Sequence, residues 1–140
     1  MGETIRFGVS MDSDLVRLLD QLTHHKNHDN RSETIRELVR DAVIAQSVND
    51  DDRTVIGTLT ILFHHKTRLP RSPISAYPSL SITANLQFHI EGEILAKVLI
   101  VKGKGAEIDA WAQKLLASSK VIGKLTYTAT DELFGELLRE

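Results

Sequence analysis

The opening strand-like segment of this sequence finds no strand to pair with nearby, and that constrains the fold more than any other feature. Ile5-Arg6-Phe7-Gly8-Val9-Ser10-Met11 alternates with period two. Phe7, Val9 and Met11 share one face, and Arg6, Gly8 and Ser10 the other, the pattern of a half-buried strand. Asp12 or Ser13 can then cap a helix whose Leu15, Leu18, Leu19 and Leu22 recur at helical spacing. The polar stretch His24 to Asn30 interrupts it. A side-chain oxygen within Asn30-Arg31-Ser32-Glu33 can cap a second helix, expected to bury Ile35, Leu38, Val39, Ala42 and Val43. One strand with two open edges and two short helices bury too little apolar surface to stand alone. Pairing with a second copy, strand against strand, answers both needs. Dimerisation follows.

Ser47-Val48-Asn49-Asp50-Asp51-Asp52-Arg53 is polar, acidic and aperiodic, and reads as a linker. Beyond it, Val55 to Phe63 reads as a strand. Ser79 to Ile90 reads as a second, with Leu80, Ile82, Ala84, Leu86, Phe88 and Ile90 expected on one face. A turn around Glu91-Gly92-Glu93 leads to Leu95–Val101, apolar enough to be central. Gly103 and Gly105 precede a helix with Ile108, Trp111, Ala112, Leu115 and Leu116 at helical spacing, and Val121 to Thr128 is the last strand. Pro70, Pro73 and Pro78 argue against a long helix over 64–78. With one helical turn there, the order becomes βαββαβ, a ferredoxin-like arrangement. The expected organisation is α+β: residues 1–48 as a β-α-α unit, 49–53 as linker, and 54–140 as the sheet domain.

Composition narrows the function classes. The sequence has no cysteine, so disulfides, thiolate catalysis and thiolate-ligated metals are excluded. No apolar run approaches the roughly 20 residues of a membrane span, and the first residues lack a signal-peptide core, so a cytoplasmic location is expected. A Gly-rich phosphate loop and a serine in a nucleophile-elbow context are absent, which argues against an enzyme. The net charge is −2, and residues 1–53 carry 11 acidic against 7 basic side chains. Nucleic-acid binding must therefore rest on a few aimed contacts rather than on a general basic field.

A two-stranded ribbon made by the dimer fits the major groove of duplex DNA, where base edges are distinguishable. Its outward residues are Arg6, Gly8 and Ser10, each supplied twice. Arg6 can grip guanine O6 and N7, Ser10 can donate or accept, and Gly8 permits close approach. The start of the second helix, with Asn30, Arg31 and Ser32, offers N–H groups to a phosphate oxygen. Read alone, the strand could equally be an edge with a solvated polar face.

The run 5–11, the leucine-rich helix and Asn30-Arg31-Ser32-Glu33-Thr34-Ile35-Arg36-Glu37 together resemble the nickel-responsive regulator (NikR) family. Gly57-Thr58-Leu59-Thr60-Ile61-Leu62-Phe63 resembles that family's first sensor strand, and Leu86-Gln87-Phe88-His89-Ile90 with Val101-Lys102-Gly103 resembles its metal-holding strand pair. The resemblance implies a ribbon-helix-helix domain followed by an ACT-like effector and tetramerisation domain. It also implies a homotetramer, a dimer of dimers on operator DNA, repressing metal-uptake genes when effector is bound. Lys66, Arg68 and Arg71 resemble the loop that reaches phosphates, although a solvated basic loop has the same composition. Glu33 and Glu37 match carboxylates that hold a second cation between the domains; a cap and solvent ion pairs would account for them equally.

The departures concern the nickel site, which in the family uses three imidazoles and one thiolate in a square plane. The paired strand imidazoles fall on Gln87 and His89, the thiolate on Leu95, and the neighbouring subunit's imidazole near Ala76 or Tyr77. One ligand of four remains. A replacement site built from His89, His65 and His64 across subunits could take zinc, cobalt or nickel through nitrogen and oxygen ligands; a hydrogen-bonded strand histidine is the plainer alternative. His24, His25 and His28 read as a solvated loop group. Two other functions stay open: a regulator sensing a small molecule or anion at the ACT-like interface, and an antitoxin. The regular strand pattern after residue 53 speaks against the second.

Overall fold

The computed structural model describes residues 3–138; the outermost residues of the two expected domains, 1–2 and 139–140, lie outside it. Helix α1 spans Ser13–His25 and begins where Asp12 accepts a hydrogen bond from the Leu15 N–H at 3.3 Å. Helix α2 spans Arg31–Val48, capped by Asn30, whose side chain accepts from the Glu33 N–H at 3.0 Å. Both caps fall where a short polar acceptor precedes an apolar repeat, since the first N–H groups of a helix need outside partners. Asn27 makes the reversal between the helices in the left-handed region, at φ 56, which asparagine tolerates better than most residues.

The remaining elements are β1 (Val55–His64), a 3₁₀ turn (Ile74–Ala76), β2 (Ser81–Glu91), β3 (Ile94–Gly103), α3 (Gly105–Leu116), β4 (Val121–Thr130) and α4 (Asp131–Leu137). The sheet runs β2-β3-β1-β4, every neighbouring pair antiparallel. This is the α+β, ferredoxin-like order expected, with the first helix of the βαββαβ pattern reduced to the 3₁₀ turn. β3 is central, as its apolar run implies. Gly92 takes φ +55 in the two-residue turn joining β2 to β3, the backbone that a tight hairpin requires.

The core lies between the sheet and α3. Val55, Leu59, Ile61 and Phe63 line one face of β1, and Leu99 and Val101 of β3 join them under Ile108, Trp111 and Ala112. Trp111 is 2% exposed. The alternation of β1 is that of a strand covered on one face by a helix.

Four expectations change. Residues 5–11, expected to pair with a second copy, form no strand within one chain, because among the described residues no second strand lies alongside to complete a ladder. Along α2, Leu38, Val39 and Ala42 are exposed, whereas Thr34 and Ser47 are buried. The apolar stripe of a small helical hairpin is not covered by the hairpin itself.

The third change concerns β2. A bulge between Ile82 and Ala84 shifts its register, so Ile82 pairs with Val101 while Ala84, Leu86 and Phe88 pair with Ile100, Val98 and Ala96. A one-residue slip moves side chains to the opposite face. Ile82 therefore shares the α3 face with Val101, and Leu86 and Phe88 point away from it. Segment 49–53, expected as the linker, forms a hydrogen-bonded turn, with Asp50 accepting from Arg53 N–H at 3.1 Å through its carbonyl and from Asp52 N–H at 2.9 Å through its carboxylate. Fourth, α4 was not anticipated. Thr130 caps it, accepting from the Leu133 N–H at 3.2 Å, and its Glu136 and Glu132 pair with Arg40 of α2 and with Arg53 at 3.1 and 2.6 Å.

Candidate nucleic-acid interface and metal centre

The amino-terminal segment presents its side chains to solvent on both sides. Ile5 and Phe7 are 78% and 77% exposed and Val9 is 58%, alternating with Arg6, Gly8 and Ser10. Leu15 and Leu18 of α1 and Leu38 and Val39 of α2 are also exposed. Such a set of bare apolar residues is what a partner surface looks like before the partner is present. A Cβ added at Gly8 would meet nothing within 4 Å, so packing within the chain does not ask for glycine there.

The helical hairpin is held by a polar network around Thr34, which is fully buried. Thr23 donates its hydroxyl proton to the Leu19 carbonyl at 2.8 Å. Its oxygen is then the acceptor for Thr34 at 2.7 Å, which leaves the Thr34 oxygen to accept from His28 Nδ1 at 2.8 Å. Across the ring, His28 Nε2 lies 2.8 Å from Glu37 Oε2, and Lys26 Nζ also donates to Glu37. Lys26, followed by its charge and that of His28, holds the Glu37 carboxyl below the usual carboxylate value. His28 thus belongs to the hairpin's interior network, while His24 and His25 are exposed in the last turn of α1.

At the start of α2, Glu33 Oε2 accepts from the Asp29 N–H at 3.2 Å while its own N–H goes to Asn30, a reciprocal closure of the helix end. Arg31 forms two bonds to Asp20, 2.7 and 2.9 Å long, and this hydrogen bonding lowers the Asp20 carboxyl's pKa. Ser32 is exposed. Asn30, Arg31 and Ser32 therefore meet at one exposed helix end. Glu33 and Glu37 each have partners from the hairpin, so the two carboxylates are not pooled in one chain.

In the sheet domain, β2 and β3 place His89 opposite Leu95 and Gln87 opposite Lys97. Tyr77 is buried with its hydroxyl unpartnered, and Ala76 lies in the 3₁₀ turn. An imidazole, an amide and an alkyl group do not make the three-imidazole, one-thiolate set of a square-planar nickel site. The residues present do not fit that centre.

His64 closes β1 opposite Ile94, whereas His89 lies opposite Leu95. Neighbouring residues on β3 face opposite ways, so the chain sends these two imidazoles to different faces. His64 and His65 instead converge with Glu93, which composition reading passed over. Glu93 sits in the β2–β3 turn, and only the strand order brings that turn beside the end of β1. Lys66 and Arg68 follow directly and, with His64, Thr67, Ser118 and Lys120, line a shallow basic cleft.

A capped two-helix unit stands behind an alternating segment and before a four-stranded antiparallel sheet, and comparison with known proteins gives the class to which this arrangement belongs. The profile of ribbon-helix-helix proteins of the copG family matches residues 5–46. Over 136 residues the chain is 39% identical to a protein named as a nickel-responsive regulator in Nitratidesulfovibrio vulgaris (Miyazaki F), covering 94% of this chain and 98% of that one. It is 38% identical to one so named in Pelobacter propionicus, covering 93% and 96%, and 35% identical to one in Caldanaerobacter subterraneus, covering 91% and 86%. The chain belongs to the nickel-responsive regulator family. Among the described residues, no helix is long and apolar enough to cross a membrane.

Proposed function

We propose that this protein is a cytoplasmic, effector-responsive repressor that reads operator DNA as a homotetramer, with a ribbon-helix-helix dimer at each flank. The observation that carries the reading is the exposed apolar face of Ile5, Phe7 and Val9, backed by Leu15, Leu18, Leu38 and Val39. Burying it against a second copy turns Arg6, Gly8 and Ser10 outward together, on a ribbon that fits the major groove. Arg6 takes a guanine edge, Ser10 a second base edge, and Gly8 allows the backbone close to the bases. Asn30, Arg31 and Ser32 hold phosphate at the α2 terminus, and Lys66 and Arg68 add contacts to the backbone. Ala84, Leu86, Phe88, Ile94 and Ile122, which the register puts on the sheet face away from α3, supply the surface for the tetramer core. Ile122 is 75% exposed.

The effector reading follows from the donor set. With Gln87 and Leu95 beside His89, the response does not run through square-planar nickel; a metal held by nitrogen and oxygen ligands, or an anion in the basic cleft at Lys66, Arg68 and Lys120, is the alternative chemistry. Glu33 and Glu37 could serve a second cation only by exchanging their present partners. The test is an operator-shift assay with Arg6→Ala. The variant keeps the oligomer but loses discrimination between operator and random DNA, with each lost arginine–guanine pair contributing about 1–3 kcal/mol. Retained discrimination rejects the role of Arg6.

A further inference from the structure

Three ligating side chains converge at one end of the sheet, outside the strand pair where the family's metal set falls. His64 ends β1, His65 follows it, and Glu93 lies in the β2–β3 turn. One ligand atom from each lies within 4.8 Å of the others. His64 Nε2 and Glu93 Oε2 are 2.7 Å apart, and the two imidazole rings are 4.6 Å apart between centroids. The main chain pins this arrangement. The His65 N–H donates to the Glu93 carbonyl at 2.8 Å, and the Thr67 N–H to the His64 carbonyl at 2.8 Å. The three groups therefore stand on a strand end and a tight turn that are tied to each other, rather than on drifting loops.

We propose that His64, His65 and Glu93 form a binding site for a divalent borderline cation, zinc above all. Two imidazole nitrogens and one carboxylate oxygen make a three-ligand zinc set that leaves a fourth position to water. Bonds of about 2.0–2.1 Å hold tetrahedral ligand atoms roughly 3.3 Å apart, so entry of the ion needs the His64–Glu93 contact to open by only about half an ångström. The surroundings suit exchange: His65 and Glu93 are exposed, and His64 is half-buried.

Occupancy has a consequence for the basic segment. The Lys66 N–H donates to His64 Nδ1 at 3.1 Å, so the ring proton resides on Nε2, facing Glu93. Ligation through Nε2 moves that proton to Nδ1, where it meets the Lys66 N–H. Two donors cannot share that place, and the bond is lost. The turn that leads to Lys66 and Arg68 is thereby released when the ion binds. The inference needs neither the DNA reading nor the tetramer.

The experiment is calorimetric titration of the full chain, stripped of metal, with zinc chloride, with cobalt(II) as an optical probe of tetrahedral geometry. About one zinc binds per chain. His65→Ala and Glu93→Gln each weaken it at least tenfold, His89→Ala leaves it unchanged, and the Lys66 amide resonance moves on zinc addition. The proposal is overturned if no zinc binds at about tenfold molar excess, if His65→Ala and Glu93→Gln bind as tightly as the parent, or if His89→Ala loses as much as they do. All three substitutions are at exposed positions, and circular dichroism verifies that the fold is retained.

Discussion

Replacing Thr34 with valine tests whether polar bonding, rather than apolar packing, holds the two DNA-binding helices together. The residue is fully buried, and valine matches its shape. The hydroxyl makes two hydrogen bonds, to Thr23 Oγ1 at 2.7 Å and from His28 Nδ1 at 2.8 Å, whose loss costs about 1 kcal/mol each. The His28 Nδ1 proton then lacks its acceptor in a half-buried place, which adds about 1 kcal/mol. The methyl that replaces the hydroxyl returns about 0.8 kcal/mol. The net destabilisation is about 2 kcal/mol. Thr34→Ser keeps the hydroxyl and gives up one buried methyl, about 1 kcal/mol. Denaturant unfolding must be run at one protein concentration, because a self-associating chain gains apparent stability by mass action. The expected order is parent, then Thr34→Ser, then Thr34→Val. A valine variant as stable as the serine one, or more so, would refute the hydrogen-bond account of the hairpin.

Further outcomes follow from single contacts. At Gly105, a Cβ would overlap the Val48 carbonyl oxygen and lie 2.7 Å from Val48 Cα, so Gly105→Ala must part α2 from α3 and lower stability by about 1–3 kcal/mol; an unchanged melting temperature contradicts this close approach. For Glu37, carboxyl NMR should give a midpoint below the ordinary 4.5, chiefly because Lys26 donates to it. A carboxylate depressed on folding contributes stability that is complete above its ordinary value and disappears as pH falls through the lowered one. Lys26→Met should move the midpoint back up, and a parent midpoint at or above 4.5 would defeat the assignment. Stoichiometric nickel should give no yellow, diamagnetic square-planar complex with this chain, since Gln87 and Leu95 stand beside His89; absorption spectra showing one would reinstate the nickel centre.

Local pattern was enough for the helix starts and for the four strands of the sheet. Asp12 and Asn30 cap because a short side-chain oxygen ahead of an apolar repeat satisfies the first free N–H groups, a property of adjacent residues. Alternation in residues 5–11 with no strand nearby calls for a partner strand, the basis of the ribbon proposed above, and Ile5, Phe7 and Val9 are exposed in the single chain. The missing nickel donors were equally legible, since cysteine is absent from the sequence altogether. What pattern could not supply was which distant segments meet. The bulge after Ile82 reverses the apolar face of β2 because register depends on the partner strand as well as on alternation. Glu93 joins His64 and His65 only because β3 lies between β2 and β1, and His28 leaves the solvated group only because α1 and α2 fold back on each other. Short-range chemistry is written along the chain; these encounters are set by packing free energy summed over the whole fold, and only the tertiary structure decides them.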